Sequence, residues 1–228
     1  MNDLRIVITG GTSGLGLALV REFRGRGNRV AFVARAPERV ARIVRDHPGV
    51  HGVVGDVARK EDVHPIALQI TAALGGLDVL VNNASSLGPT PLALLADTDC
   101  EDFALALETN VLGPFRLTKA LLGALTASAR DGRGAVVLNV SSDAAVNAYA
   151  QWGAYGASKA ALRHLSAIWN EELAAEGVRF LSLDPGDMDT PLHMLAIPDA
   201  DPAALKRPEA AARELADAIS AALAREHA

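Results

Sequence analysis

Residues 9–16 read TGGTSGLG and directly follow the short apolar run RIVIT at residues 5–9. Glycines at positions 10, 14 and 16 allow the backbone to turn sharply and to approach a ligand closely. A helix predicted from residue 15 points its unpaired N–H groups and the positive end of its dipole at the same turn. A strand, a glycine-rich turn and a helix in this order favour a pyrophosphate ligand over a turn used only for packing.

Short β-branched runs alternate with longer amphipathic segments along the rest of the chain. The runs are almost continuously apolar, which indicates burial on both faces and is typical of a parallel sheet covered by helices. We therefore predict an α/β fold, a single doubly wound Rossmann-type domain over residues 1–228 with about six parallel strands. The predicted strands are 5–9, 29–34, 50–54, 78–81, 135–140 and 178–183. The predicted helices are 15–26, 37–46, 61–74, 101–129 with a break near Gly113-Pro114, and 155–175.

The C-terminal region begins with a proline-rich segment at about residues 190–208. Such a segment is either a lid over a pocket or an ordinary surface connection, and the sequence leaves both open. A helix is predicted for residues 209–225, with Leu215, Ile219 and Leu223 on one face.

The composition argues against several classes of function. The chain of 228 residues has 22 Lys and Arg against 27 Asp and Glu, and this net charge of −5 argues against nucleic-acid and anionic-membrane partners. The single cysteine, Cys100, cannot form an internal disulfide, and the six histidines have no ligand spacing, so no metal site is expected. Neither a signal peptide nor a membrane-spanning run is evident, so the predicted location is cytoplasmic.

The end of the second predicted strand bears on cofactor choice. Folds that bind NAD usually place a carboxylate there for the adenosine ribose hydroxyls, whereas this chain has Ala34-Arg35. A guanidinium can hold a 2′-phosphate, so Arg35 favours NADP(H) over NAD(H). The alternative is a solvent-exposed arginine with no ligand.

A tyrosine and a lysine four residues apart, Tyr155 and Lys159, lie near the start of a predicted helix and share one of its faces. A nearby ammonium favours the phenolate, so Lys159 is expected to lower the pKa of Tyr155. Ser141-Ser142 follows the fifth strand, where doubly wound sheets hold ligands, and could hydrogen-bond a substrate carbonyl. Asn110 is a polar residue in an otherwise apolar helix and needs a partner, either as a helix cap or within the site.

Together these motifs resemble the short-chain dehydrogenase/reductase family. TGGTSGLG is similar to its TGxxxGxG turn, NNAS at residues 82–85 to its NNAG motif, and NVLGPF from Asn110 to the segment with its active-site asparagine. YGASK at residues 155–159 is similar to its YxxxK motif, and the usual 13-residue separation selects Ser142 as the family serine. DPGDMDT at residues 184–190 resembles its PGxxxT stretch, so the resemblance extends over about residues 5–190.

The resemblance implies four catalytic residues. Tyr155 would exchange a proton with the substrate oxygen, Lys159 would lower the pKa of Tyr155 and bind the nicotinamide ribose, Ser142 would orient the carbonyl, and Asn110 would support a water relay to Lys159. The cofactor-binding residues that the motifs and the resemblance indicate are Gly10, Thr12, Ser13, Gly14, Leu15, Gly16, Arg35, Asp56, Val57, Asn83, Ala84, Tyr155, Lys159, Pro185, Gly186 and Thr190.

Some positions depart from the family pattern. Ser85 replaces the last glycine of NNAG. Asp187 is a carboxylate that the family pattern does not usually have; we interpret it as a solvated loop residue in preference to a substrate contact. The family's seventh strand has no counterpart after Leu205, so a homodimer through the helices after Glu101 and Tyr155 is expected. NNASSLG, Trp152 and PGDMDT are similar to sepiapterin reductases and bacterial benzil reductases, although the pterin-anchoring acid has no clear match.

Three functions follow as hypotheses. The first is an NADPH-dependent carbonyl reductase for a small or medium ketone, aldehyde or diketone. The second is an NAD-linked alcohol dehydrogenase, against which Ala34-Arg35 argues. The third is a dinucleotide-binding sensor or scaffold without turnover, a class that commonly lacks the tyrosine or lysine found here.

Overall fold

Six parallel strands form one sheet in a computed structural model that describes residues 3–224. The strands are β1 (Arg5–Thr9), β2 (Arg29–Ala34), β3 (Val50–Val54), β4 (Val79–Asn82), β5 (Ala135–Val140) and β6 (Val178–Leu183). Their order is β3-β2-β1-β4-β5-β6, so the chain reverses its direction across the sheet between β1 and β4. Ligands of doubly wound sheets bind at the carboxyl edge beside such a reversal.

Helices cover both faces of this sheet. Within the described residues they are α1 (Gly14–Gly25), α2 (Pro37–Asp46), α3 (Val63–Leu74), α4 (Cys100–Leu107), α5 (Gly113–Arg130), α6 (Gly153–Leu173), α7 (Pro191–Ala196) and α8 (Pro208–Ala224). One core layer lies between the sheet and α1, α2 and α8, and the other lies between the sheet and α3, α5 and α6. Along β1, Ile6 and Ile8 enter the first layer and Val7 enters the second, which explains the continuously apolar strands.

The structure confirms the predicted fold class, and the strand bounds agree with the sequence to within one residue. The helical irregularity lies earlier than predicted. A π-helical segment, Glu108–Leu112, joins α4 to α5, and Gly113-Pro114 begins α5 instead of breaking a helix. Proline is tolerated there because the first turn of a helix does not need its N–H.

The segment after β6 contains α7 and one further short 3₁₀ turn before α8. Its two ends are pinned to each other, since Asp189 N–H donates to the Lys206 carbonyl at 3.1 Å and Lys206 N–H donates to the Asp187 carbonyl at 3.0 Å. No strand follows β6 within residues 3–224. The predicted last helix is observed to Ala224, and its predicted last residue, Arg225, lies outside the described residues. None of the helices described is long and apolar enough to cross a membrane.

Candidate active site

The glycine-rich turn leaves the N-terminus of α1 without a side-chain cap. Ser13 caps α1 in an extended conformation without a side-chain hydrogen bond, and the first turn of α1 has no acidic residue. The first N–H groups of a helix have no intrahelical partner, so those of α1 stay available to an anion. A Cβ at Gly16 would lie 2.2 Å from the Gly10 carbonyl oxygen, so only glycine permits this close approach of helix and turn. These features fit a dinucleotide pyrophosphate.

The turn is tied to the end of β4 through Thr9. Its Oγ1 accepts hydrogen bonds from the N–H groups of Asn83 and Ala84, both at 3.0 Å. The Asn83 side-chain Nδ2 donates in return to the Thr9 carbonyl at 2.8 Å. Gly10 has a φ of +74°, which brings its backbone beside Ala84. The two neighbouring strand ends thus form one wall of a cleft.

That cleft has a volume of about 820 Å³ and extends along the carboxyl edge of the sheet. It brings together every predicted site residue except Asn110. Its lining includes the predicted residues Gly10, Thr12, Ser13, Gly14, Leu15, Gly16, Arg35, Asp56, Val57, Asn83, Ala84, Ser142, Tyr155, Lys159, Pro185, Gly186 and Thr190.

Two guanidinium groups stand at one end of the cleft, those of Arg35 and Arg39. The Arg35 side chain is 78% exposed, and its Nη1 lies 4.0 Å from Asp56 Oδ2. An exposed ion pair at that distance contributes little, so Arg35 stays free to bind an anion. Arg39 was not predicted, although it follows Arg35 by four residues across the start of α2.

Tyr155 and Lys159 lie in the first two turns of α6 and are both buried. The Lys159 Nζ lies 5.5 Å from the centre of the Tyr155 ring and donates a hydrogen bond to the Val140 carbonyl at 2.8 Å. This bond fixes α6 against the carboxyl end of β5.

Burial pushes both groups toward their uncharged forms. Burial raises the pKa of Tyr155 to about 12, and the carboxylates of Asp184 and Asp143 act in the same direction, while a hydrogen bond with Ser142 opposes them. Burial lowers the pKa of Lys159 to about 8. Burial is thus the main influence on the pKa of Tyr155, and the expectation that Lys159 lowers this pKa stays a prediction.

Ser142 stands at the end of β5 and is linked to two residues that the sequence did not single out. Its Oγ donates to Asp143 Oδ1 at 3.1 Å and accepts from the Ala144 N–H at 3.2 Å. The Tyr149 hydroxyl donates to the other carboxylate oxygen of Asp143 at 2.7 Å. Asp143 and Tyr149 both line the cleft.

Asn110 lies in the π-helical segment and is completely buried. Its Nδ2 donates to the Ser86 carbonyl at 2.7 Å and to Ser158 Oγ at 2.8 Å. Its Oδ1 accepts from the Ser86 N–H at 2.8 Å and from Ser85 Oγ at 3.1 Å. The side chain has therefore used its hydrogen-bonding capacity on the loop after β4, and any relay toward Lys159 has to use other atoms.

The segment after β6 closes the other side of the cleft. Thr190 caps α7 by accepting the His193 N–H at 3.2 Å, and its methyl group lies beside Gly14 of the glycine-rich turn. His193 Nδ1 lies 3.8 Å from Asp187 Oδ1, and both residues line the cleft. Residues of this segment thus line one side of the cleft.

Aromatic side chains line the wall next to Tyr155. The Trp152 ring meets the Tyr155 ring edge to face, with centroids 5.7 Å apart, and lines the cleft. Trp169 instead stacks on Phe180 at 5.8 Å within the core. Exposed apolar side chains that the sequence did not mark also border the cleft, namely Leu105, Leu195 and Ile197.

Comparison with known proteins identifies a matching family model and a similar dehydrogenase. A family model described as short chain dehydrogenase matches residues 5–201. The chain is 32% identical over 191 residues to 2-(R)-hydroxypropyl-CoM dehydrogenase of Xanthobacter autotrophicus, with 82% of this chain and 75% of that protein covered.

Two solved structures are also similar. A 3-ketoacyl-(acyl-carrier-protein) reductase of Brucella melitensis complexed with NADH has a TM-score of 0.87 and 26% identity, covering 94% of this chain and 90% of that one. A short chain dehydrogenase of Shigella flexneri complexed with NADP has a TM-score of 0.83 and 25% identity, covering 92% and 87%. The two neighbours thus hold different dinucleotides.

Proposed function

The chain belongs to the short-chain dehydrogenase/reductase family of NAD(P)-dependent oxidoreductases, and from that premise we propose that it is an NADPH-dependent carbonyl reductase. Its substrate would be a small or medium ketone, aldehyde or diketone. The observation that carries the proposal is a buried tyrosine that lines the same cleft as a serine hydroxyl and the glycine-rich turn, a cleft that fits a dinucleotide.

Tyr155 acts in this proposal as the general acid. With a pKa of about 12 its phenol is protonated at neutral pH and can donate its proton to the oxygen of a carbonyl. A bound reduced nicotinamide would supply the hydride for the carbonyl carbon. Ser142 would orient the carbonyl oxygen toward the Tyr155 hydroxyl, and the product would be an alcohol.

Lys159 and Asn110 would hold the backbone segments that position the reacting groups. Lys159 holds α6 on the end of β5 through the Val140 carbonyl and would bind the nicotinamide ribose. Asn110 holds the loop after β4 through both Ser86 backbone groups, so it would set the shape of the wall opposite Tyr155. Their removal would therefore disturb the positions of the reacting groups.

The proposed preference for NADPH rests on charge at one end of the cleft. Arg35 and Arg39 both line that end, where the sequence places Ala34 instead of a carboxylate. A 2′-phosphate placed there would meet two cations, of which Arg35 is 78% exposed and weakly paired. The other proposed cofactor contacts are the remaining predicted residues of the cleft.

We also propose a homodimer of this protein, with the helices α4, α5 and α6 at the interface. Ile168 on α6 is a large apolar residue that stays 42% exposed and does not line the cleft. Sedimentation velocity should give about twice the chain mass of 23.8 kDa, and a monomer at micromolar concentration would contradict this proposal. The cytoplasmic location stays a prediction from the sequence.

The activity is tested by following NADPH fluorescence while aldehydes, ketones and diketones are added one at a time. We expect oxidation of NADPH by at least one carbonyl, and a slower reaction with NADH. The Tyr155→Phe variant should bind NADPH like the wild type but lose turnover at least a hundredfold, because it lacks the acid. Binding of NADPH without oxidation by any carbonyl would favour a sensor or scaffold, and equal activity of the variant would refute the role of Tyr155.

A further inference from the structure

Asp143 occupies a particular place beside the proposed carbonyl site. One of its carboxylate oxygens, Oδ1, lies 3.1 Å from Ser142 Oγ and accepts a hydrogen bond from that hydroxyl. The other oxygen is held by the Tyr149 hydroxyl at 2.7 Å. Each carboxylate oxygen therefore has one hydrogen-bond partner, and one of these partners is the hydroxyl that would orient the substrate.

The single proton of Ser142 has two competing uses. A hydroxyl has one donor, and in the proposed reaction that donor must turn to the carbonyl oxygen of the substrate. Asp143 is an exposed residue, so water can replace that donor, but a substrate bound against the carboxylate displaces this water and binds better when it brings a donor of its own. A plain ketone or aldehyde offers no such donor.

A hydroxyl group on the carbon next to the carbonyl would supply the hydrogen-bond donor that Asp143 loses. Two oxygens on adjacent carbons can lie about one hydrogen-bond length apart, close to the Ser142–Asp143 separation of 3.1 Å. The carbonyl oxygen can then accept from Ser142 while the neighbouring hydroxyl donates to Asp143, and the two pairs close into a ring. A carboxylate has lone pairs left for this bond after the one from Tyr149.

We infer that Asp143 determines specificity by accepting a hydrogen bond from a hydroxyl next to the reacting carbonyl, so that the substrate class is the α-hydroxycarbonyl compounds. This inference rests on the proposed carbonyl reductase activity and narrows it. A bound NADPH would supply the hydride for the carbonyl carbon, Tyr155 would give its proton to the carbonyl oxygen, and the product would be a vicinal diol. The α-hydroxyl keeps its own proton throughout.

The test compares 2-hydroxyacetophenone with 2-methoxyacetophenone. Both have the same ring and an oxygen at the same carbon, but the methyl ether cannot donate a hydrogen bond. We expect kcat/KM to be at least tenfold higher for the hydroxy ketone in the wild type, and this ratio to fall at least fivefold in Asp143→Asn. Asp187→Asn removes a carboxylate from the same cleft that has no hydrogen bond to Ser142, and it should keep the wild-type ratio.

A binding measurement separates this inference from the proposed activity. In the Tyr155→Phe background with NADP⁺ present, calorimetry should show tighter binding of 1-phenyl-1,2-ethanediol than of 2-methoxy-1-phenylethanol, and adding Asp143→Asn should remove the difference. If no ketone is reduced but this binding difference is found, the proposed activity fails and the role of Asp143 stands. Equal binding of the two compounds, or a preference that Asp143→Asn leaves unchanged, overturns the inference.

Discussion

Replacing Gly16 by alanine places a methyl group where the glycine-rich turn has no room for it. The new Cβ would lie 2.2 Å from the Gly10 carbonyl oxygen and 2.6 Å from Asn83 Nδ2, whereas ordinary contact begins at 3.4 Å. The turn would have to open by about 1 Å, and overpacking of this kind costs about 1–3 kcal/mol. For a chain of this length that lowers Tm by about 2–12 °C.

The same displacement should weaken dinucleotide binding. The N–H groups at the start of α1 are aimed by this turn, so we expect Kd for NADPH, measured by nicotinamide fluorescence, to rise at least tenfold in Gly16→Ala. Gly25→Ala is the matched control, because Gly25 ends the same helix and a Cβ there meets nothing within 4 Å. It should leave Kd and Tm nearly unchanged. A Gly16→Ala variant with wild-type Tm and Kd within twofold of the wild type would refute this reasoning about the turn.

Three further predictions concern charge. Arg35→Asp should shift the ratio of kcat/KM for NADPH over NADH toward NADH by at least tenfold, and an unchanged ratio would remove Arg35 from cofactor selection. Asp78 is a buried carboxylate whose pKa is lowered from 3.8 to about 2 by hydrogen bonds from Arg5, Arg133 and Ser128 against the opposing effect of burial. Its stabilisation is present above pH 3.8 and is lost as the pH falls through about 2. At 1.36 kcal/mol per pKa unit it amounts to about 2 kcal/mol, so urea unfolding between pH 5 and pH 2 should show a loss that Asp78→Asn lacks. Lys159, with a pKa lowered from 10.5 to about 8 by burial, binds a proton less readily in the folded state, so it should make the protein more stable as the pH rises from 8 to 10.5, and Lys159→Met should flatten that rise.

Much of the fold could be predicted because its signals are local. Continuous apolar runs identified all six strands, and Gly75, in the left-handed conformation at the end of α3, is where the sequence predicted that helix to end. The π-helical segment at Glu108–Leu112 could not be predicted from local propensity. It turns the Asn110 side chain toward Ser86 and Ser158, and those partners are 24 and 48 residues away along the chain.

Most of the candidate site was predicted from motifs of fixed spacing, and Arg35 from its place at the end of a predicted strand. TGGTSGLG and the Tyr155–Lys159 pair are such motifs, and both line the cleft. Asp143 and Tyr149 carry no such pattern, since their hydrogen bonds depend on the path of the loop between β5 and α6. Arg39 was missed for a similar reason, because its position in the cleft depends on how α2 packs against the sheet.

The sequence by itself determined the order of strands and helices, the glycine-rich turn and the residue types available for proton transfer. These depend on periodicity and on backbone freedom, which act over a few residues. The tertiary structure decided how strongly the two central groups are desolvated. Burial raises the pKa of Tyr155 and lowers that of Lys159, opposite to the effect expected from an exposed pair at the same spacing. Desolvation depends on every group packed around a side chain, and the four-residue spacing of Tyr155 and Lys159 in the sequence does not determine it.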